Sequence, residues 1–227
     1  MKKLPWRYVP WLLLDMARGP LWFPAAVLAA ALLLPAVNAP AELVTKVFPY
    51  VLEAAGFLSV LALTRGLVNK DLRRGYYRVL FSRPVTPGGY YLLRWLLGGA
   101  ALLAFAALFT GIISWKYGVA LPFPFYAARL GLEYLVLGGL VFLLSTLLRE
   151  DAGPALVLCA LSAYYHGAAY PPAWLKAAGW LLPPLNLCRL TVAGTGPLPA
   201  LLYGACAVAA AVYVLQRRNF AEGGRGD

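Results

Sequence analysis

The chain has 227 residues, 62% of them hydrophobic and 13% charged, with a mean hydropathy of +0.70. A soluble domain carries about a quarter charged residues, so a water-soluble globule is excluded and a polytopic membrane protein is expected. The net charge of +11 fits basic residues beside membrane spans, and no nucleic-acid-binding signature accompanies it, so nucleic acid is not an expected partner.

Residues 4–18, LPWRYVPWLLLDMAR, are too short and too charged to span a bilayer. Lys3, Arg7, Asp15 and Arg18 fall near one helical stripe, while Trp6, Tyr8 and Trp11 suit the headgroup layer. Residues 1–20 therefore read as an interfacial elbow helix bent at Pro10, the plainer alternative being a disordered basic tail. Six apolar stretches, roughly 21–37, 47–68, 90–115, 125–148, 152–170 and 198–216, are long enough or nearly so to cross a hydrocarbon core. Ala39-Pro40-Ala41 after the first of them resembles a signal-peptide cleavage site. About twenty residues rich in Trp and Pro precede that stretch, however, so the first span is expected to be retained. Between the fifth and sixth stretches, residues 171–190 hold two Pro-Pro pairs around Ala173 to Leu182, and that piece reads as a short interfacial or re-entrant helix.

Fifteen of the twenty cations lie on one side of this topology: four before residue 19, seven between Arg65 and Arg94, then Arg149, Arg217, Arg218 and Arg225. Lys46, Lys116, Arg129, Lys176 and Arg189 fall on the other side or near it. The asymmetry places both termini in the cytoplasm.

The largest basic group surrounds RGYYRVLFSRPVTPGGYY, residues 74–91. Val68, Leu72, Tyr76, Val79 and Leu80 recur at helical spacing, and Lys70, Asp71, Arg73, Arg74 and Arg78 occupy the other positions. That pattern predicts an amphipathic helix over 67–83, stopped by Pro84, with Pro87 opening the next span. Attraction to anionic lipid, on the order of 1 kcal/mol per cation, would explain the charge though not the order of the residues.

That order, KDLRRGYYRVLFSRPVTPGGYYLLRW, resembles the cytoplasmic signature of type-2 ABC transporter permeases. In that family an acidic residue and a glycine precede an apolar pair, a Ser-Arg-Pro-Val type turn and the next span; Asp71, Gly75, Leu80-Phe81, Ser82, Pro84-Val85 and Tyr90 stand in those places. Many members carry an acidic residue followed by Gly-Thr where this chain has Arg74-Gly75-Tyr76. The resemblance implies an all-α membrane protein forming one permease domain over 1–227, with 67–83 a coupling helix on a separate ATPase subunit. It implies ATPase-coupling roles for Asp71, Arg73, Arg74, Arg78 and Leu80, with Glu150 and Asp151 of the Arg149-Glu150-Asp151 loop as a second contact. A second permease subunit, identical or related, is implied too. The chain has no GxxxxGK[ST] loop, so ATP and Mg would sit on the partner and no cofactor or metal is expected here.

Glu53 and Glu133 interrupt the second and fourth stretches at a depth where ionisable groups are costly and mark a pathway or a paired interior site. Arg129 stands four residues before Glu133 on the same helical face. Two readings stand: an intrahelical Arg129–Glu133 ion pair with a solvated Glu53, or a translocation route lined by Glu53, Arg129 and Glu133. His166 lies among Tyr164, Tyr165 and Tyr170 and reads as part of an interfacial aromatic belt. Cys159, Cys188 and Cys206, odd in number and without CxxC spacing, support neither a disulfide framework nor zinc. With no GxSxG and no His-carboxylate spacing, the chain is not expected to be an enzyme. The expectation is a permease subunit, an exporter in a bacterial or archaeal inner membrane. The alternatives are a membrane-embedded enzyme or assembly subunit acting on lipids, and a haem-exporter type of permease.

Overall fold

The computed structural model describes residues 8–33, 40–73, 86–148, 150–168, 170, 172–189 and 197–217. All of the elements are helical, with no strand among the described residues. The helices are α1 (Val9–Arg18), α2 (Trp22–Leu33), α3 (Ala41–Thr64), α4 (Asn69–Arg73), α5 (Pro87–Tyr117), α6 (Phe123–Glu133), α7 (Gly139–Leu147), α8 (Ala152–Gly167), α9 (Ala173–Ala177) and α10 (Leu198–Arg217). A π-helical turn, Tyr134–Gly138, joins α6 to α7 without interrupting the span, and 3-10 turns occupy Gly179–Leu181 and Leu185–Arg189.

Four segments are long and apolar enough to cross a membrane: Ala41–Asp71, Pro87–Tyr117, Phe123–Leu147 and Leu198–Arg217. A fifth is reached if α1 and α2 count as one span bent by 62°. With 12 and 16 residues, α2 and α8 fall short of the roughly 20 residues a bilayer crossing needs. The outside of the bundle agrees with a hydrocarbon setting: Leu33, Tyr50, Trp115 and Trp180 are each more than 70% exposed, an apolar exterior that water would not tolerate over such an area.

Local signals explain the helix ends. Pro10 stands in the first turn of α1, where its missing N–H is not needed, so the bend falls instead at Gly19–Leu21 after the helix has ended. Pro87 opens α5, and Gly118, with φ +62°, closes it in the left-handed cap that favours glycine. Within α3, the Ser59 and Thr64 hydroxyls donate to the carbonyls of Ala55 and Val60, both at 2.7 Å, which satisfies two polar groups that lipid could not.

Aromatic rings fill the centre. Phe48 of α3 stacks on Phe109 of α5 with centroids 5.6 Å apart and meets Tyr126 of α6 edge-on at 5.2 Å. Tyr134, in the π-turn, lies 5.0 Å from Trp95 and donates to the Trp95 carbonyl at 2.5 Å. Gly98 makes room for it, since a Cβ there would stand 2.5 Å from the Tyr134 hydroxyl. On the other side of the turn, a Cβ on Gly204 would meet the Leu135 carbonyl oxygen at 2.6 Å, so α10 approaches the π-turn backbone to backbone. Ala207 and Ala211 are consumed in this packing within the chain, while Ala205 and Ala209 face outward.

Contacts at the two ends give the course of the chain. The last turn of α1, the end of α3, α4, the start of α5, the end of α7, the start of α8 and the end of α10 share one end, with Arg18, Arg65, Lys70, Arg94 and Arg217 there; this is called the basic end below. At the opposite end Lys116 of α5 donates to the Ala31 carbonyl of α2. Also there, Ser162 of α8 donates to Pro183 O at 2.6 Å, and Tyr203 of α10 donates to Leu181 O at 3.1 Å, tying the 172–189 segment down.

Candidate functional site at the basic end

Between α3 and α4 the chain turns through Arg65 to Val68, and the turn depends on Gly66, whose φ of +66° costs a side-chain-bearing residue about 1–2 kcal/mol. Its amide donates to Asp151 Oδ2 at 2.7 Å, and the Val68 amide donates to Ser145 Oγ at 2.9 Å. Thus the end of α7 and the start of α8 cap two backbone donors left over by the turn. From the other side comes Arg94, two turns into α5. Its Nη1 donates to Asp71 Oδ2 at 3.1 Å and to the Leu67 carbonyl at 3.3 Å, and its Nη2 donates to Asp15 Oδ2 at 2.9 Å.

One guanidinium therefore fastens α1, α5 and the α3–α4 turn together. Arg94 and Asp71 are 8% and 7% exposed, whereas the Asp15 side chain is 41% exposed. The planar fork of arginine makes such bridging of two carboxylates possible; lysine, a point charge, could not hold both geometries at once. Two carboxylates around one cation leave the local charge at −1, which Lys70 next to Asp71 offsets in part. Apolar packing closes the site: Leu67 and Val68 of the turn, Leu12 and Met16 of α1, and Tyr91 of α5 are all nearly inaccessible.

Asp71 and Asp151, expected from the resemblance as contacts to a partner, both point inward here: Asp71 holds Arg94 and Asp151 holds the turn. Glu150 is exposed beside Asp151. Arg73 ends α4, and Arg74, Arg78 and Leu80 lie outside the described residues, as does most of the predicted 67–83 helix. The sequence pattern marks Arg94 only as one of the basic residues flanking a span and Asp15 only as part of the polar stripe in residues 1–20, and it carries no signal for Ser145. An arginine inside an apolar helix implies an acidic partner; Asp71 is the nearest acid before it in the sequence, whereas Asp15 lies 79 residues away in α1.

Near the opposite end Arg129 of α6 pairs with Glu53 of α3, a link across two helices. Because α3 begins at Ala41, Glu53 lies about 18 Å along the helix from its start, deeper than a span beginning at 47 implies. Its side chain is 27% exposed, so it is not a freely solvated group. Glu133 is buried and near enough to Cys188 for its charge to act on that thiol; burial first and Glu133 second push Cys188 up to about 12, with Arg129 opposing. The structure thus brings Glu53, Arg129 and Glu133 to one level of the bundle, on α3 and α6. Among the described residues no three His, Cys, Asp or Glu side chains are placed to hold a metal ion.

Comparison with protein-family models, with curated proteins and with solved structures gave no match for this chain.

Proposed function

We propose that this chain is the membrane-spanning permease subunit of an ATP-driven ABC transporter of the type-2 exporter kind. It passes six times through a bacterial or archaeal inner membrane with both termini in the cytoplasm. The basic end faces the cytosol, α1 is the elbow helix, and α4 begins a coupling helix that continues through residue 83 onto a separate ATPase subunit. Two permease subunits enclose the route, and substrate crosses by alternating access as the ATPase opens and closes.

The observation that carries this reading is the clamped α3–α4 turn. Force applied to a cytosolic segment does work on a bundle only if the segment is attached stiffly to several helices, and a partner drives a change only through contacts that differ between its two states. Here the root of the RGYYRVLFSRPV segment is tied to α5, α7 and the start of α8 by four hydrogen bonds, two of them from buried Arg94, which carries a fifth to Asp15 of α1. Lipid binding alone would not require such an attachment. The alternating direction of α2, α3, α5, α6–α7, α8 and α10 supports six passes.

Glu53, Arg129 and Glu133 are assigned to the outer part of the route. Their cross-helix pairing would let α3 and α6 separate or close as a unit.

The test is purification of the chain from its native membrane in a mild detergent. An ATPase bearing a glycine-rich phosphate loop is expected to accompany it, with hydrolysis that changes when Arg74→Glu or Leu80→Glu is introduced. No accompanying ATPase, with both variants harmless to transport, would refute the assignment.

A further inference from the structure

The N-terminal helix has apolar residues on two faces, and among the described residues only one of them is packed against the bundle. Leu12 and Met16 are buried against the bundle, whereas Trp11, Leu13 and Leu14 remain 64%, 45% and 47% exposed. Trp22, just past the 62° bend, is 66% exposed. An exposed cation, Arg18, ends the helix, and Lys2, Lys3 and Arg7 precede it in sequence. Exposed indole and leucine on a helix that ends in an exposed arginine and is steeply inclined to the next fit a leaflet surface carrying anionic headgroups better than a protein partner. What distinguishes α1 from a passive anchor is Asp15. On the same helix, it accepts from Arg94 Nη2, and the same guanidinium holds Asp71 and the Leu67 carbonyl through Nη1.

The geometry points to α1 as a lipid-responsive arm: seating of its Trp11–Leu14 face in an anionic leaflet is linked through Asp15 and Arg94 to the firmness of the α3–α4 turn. Linkage makes the effect reciprocal. If leaflet attraction favours the position in which Asp15 reaches Arg94, then Arg94 is held against Asp71 and Leu67, and a displaced turn weakens the seating of α1 by the same factor. Anionic phospholipid would then set how stiffly the turn is held, a regulation separate from substrate or nucleotide. This inference rests on the bundle lying in a bilayer and not on the identity of an ATPase, so its failure and that of the proposed function are separable.

The experiment is hydrogen exchange of residues 66–73 in the purified full-length chain, without any partner, in nanodiscs of phosphatidylcholine alone or with one third phosphatidylglycerol. The reporting amides include Gly66 and Val68, whose acceptors are Asp151 and Ser145. In the wild type, exchange is expected to be slower by about fivefold in the anionic discs, the factor set by roughly one surface cation, and the difference should shrink in high salt. Asp15→Asn should abolish the lipid dependence while Glu42→Gln, at the opposite end, keeps it. Should Asp15→Asn fail to fold, Trp11→Ser with Leu14→Ser, both on the exposed face, should abolish it as well. Equal exchange of the wild type in the two lipids, or a lipid dependence that survives either the Asp15 substitution or the paired serine substitution, overturns the proposal.

Discussion

Replacing Arg94 with glutamine removes one cation from a site that keeps two carboxylates. The bond to Asp71 is charge-assisted and almost fully buried, worth about 1.5–3 kcal/mol, and the bond to the Leu67 carbonyl adds about 1 kcal/mol. The Asp15 bond is discounted because that carboxylate is 41% exposed. Asp71, left without its guanidinium, must be solvated, protonated or re-paired with Lys70, so the total falls near the 3–5 kcal/mol typical of breaking a buried pair. In a chain of this size that corresponds to a fall in midpoint on the order of 10 °C. Thermal scans in detergent at pH 7 measure it, with Asp15→Asn expected to cost only about 1 kcal/mol. Adding Asp71→Asn to Arg94→Gln should recover much of the loss, because the stranded charge is then gone. A loss for Arg94→Gln no larger than for Asp15→Asn, or strictly additive costs in the double variant, would refute the reasoning.

Gly204→Ala should destabilise the bundle by several kcal/mol, since its Cβ would meet Leu135 backbone at 2.6 Å, whereas Gly111→Ala, with nothing within 4 Å, should stay within about 0.5 kcal/mol; the same thermal scans compare them. Glu53→Gln and Arg129→Gln should be non-additive, with a coupling of about 1–2 kcal/mol after discount for the partly exposed Glu53, and independent effects in a double-mutant cycle would contradict a cross-helix pair. Cys188, pushed up to about 12 chiefly by burial, should hold only about one thiolate in ten thousand at pH 8; a water-soluble maleimide should leave it unlabelled until the chain is unfolded, and rapid labelling of the folded protein would show the Leu185–Arg189 turn to be open.

Composition and hydropathy were enough to read the membrane class and the long spans, because a bilayer forces uniform apolarity over α3, α5, α6–α7 and α10. Hydropathy places the sixth stretch at 198–216, where the helix runs to 217, and the third at 90–115, where it runs from 87 to 117. Less legible was the interior. Nothing in YLVLG announces a π-turn, which arises from fitting Tyr134 over Gly98 and against the Trp95 carbonyl, a tertiary effect. Spacing within one helix offers Glu133 to Arg129, but the ion pair that Arg129 makes with Glu53 on α3 is not legible there, because distances between helices are invisible to a periodicity argument. Asp71 read as a member of a polar face for the same reason: its sequence neighbours are charged, but its partner comes from α5, 23 residues away.

The most direct test of the account is cross-linking from the coupling segment itself, with a photoreactive phenylalanine at position 80 in membranes energised with ATP or blocked with a non-hydrolysable analogue. The account predicts an adduct with a nucleotide-binding ATPase subunit, in a yield that differs between the two nucleotides and falls when Arg78→Glu is added. Adducts to phospholipid alone, unchanged by nucleotide while transport continues, would contradict it.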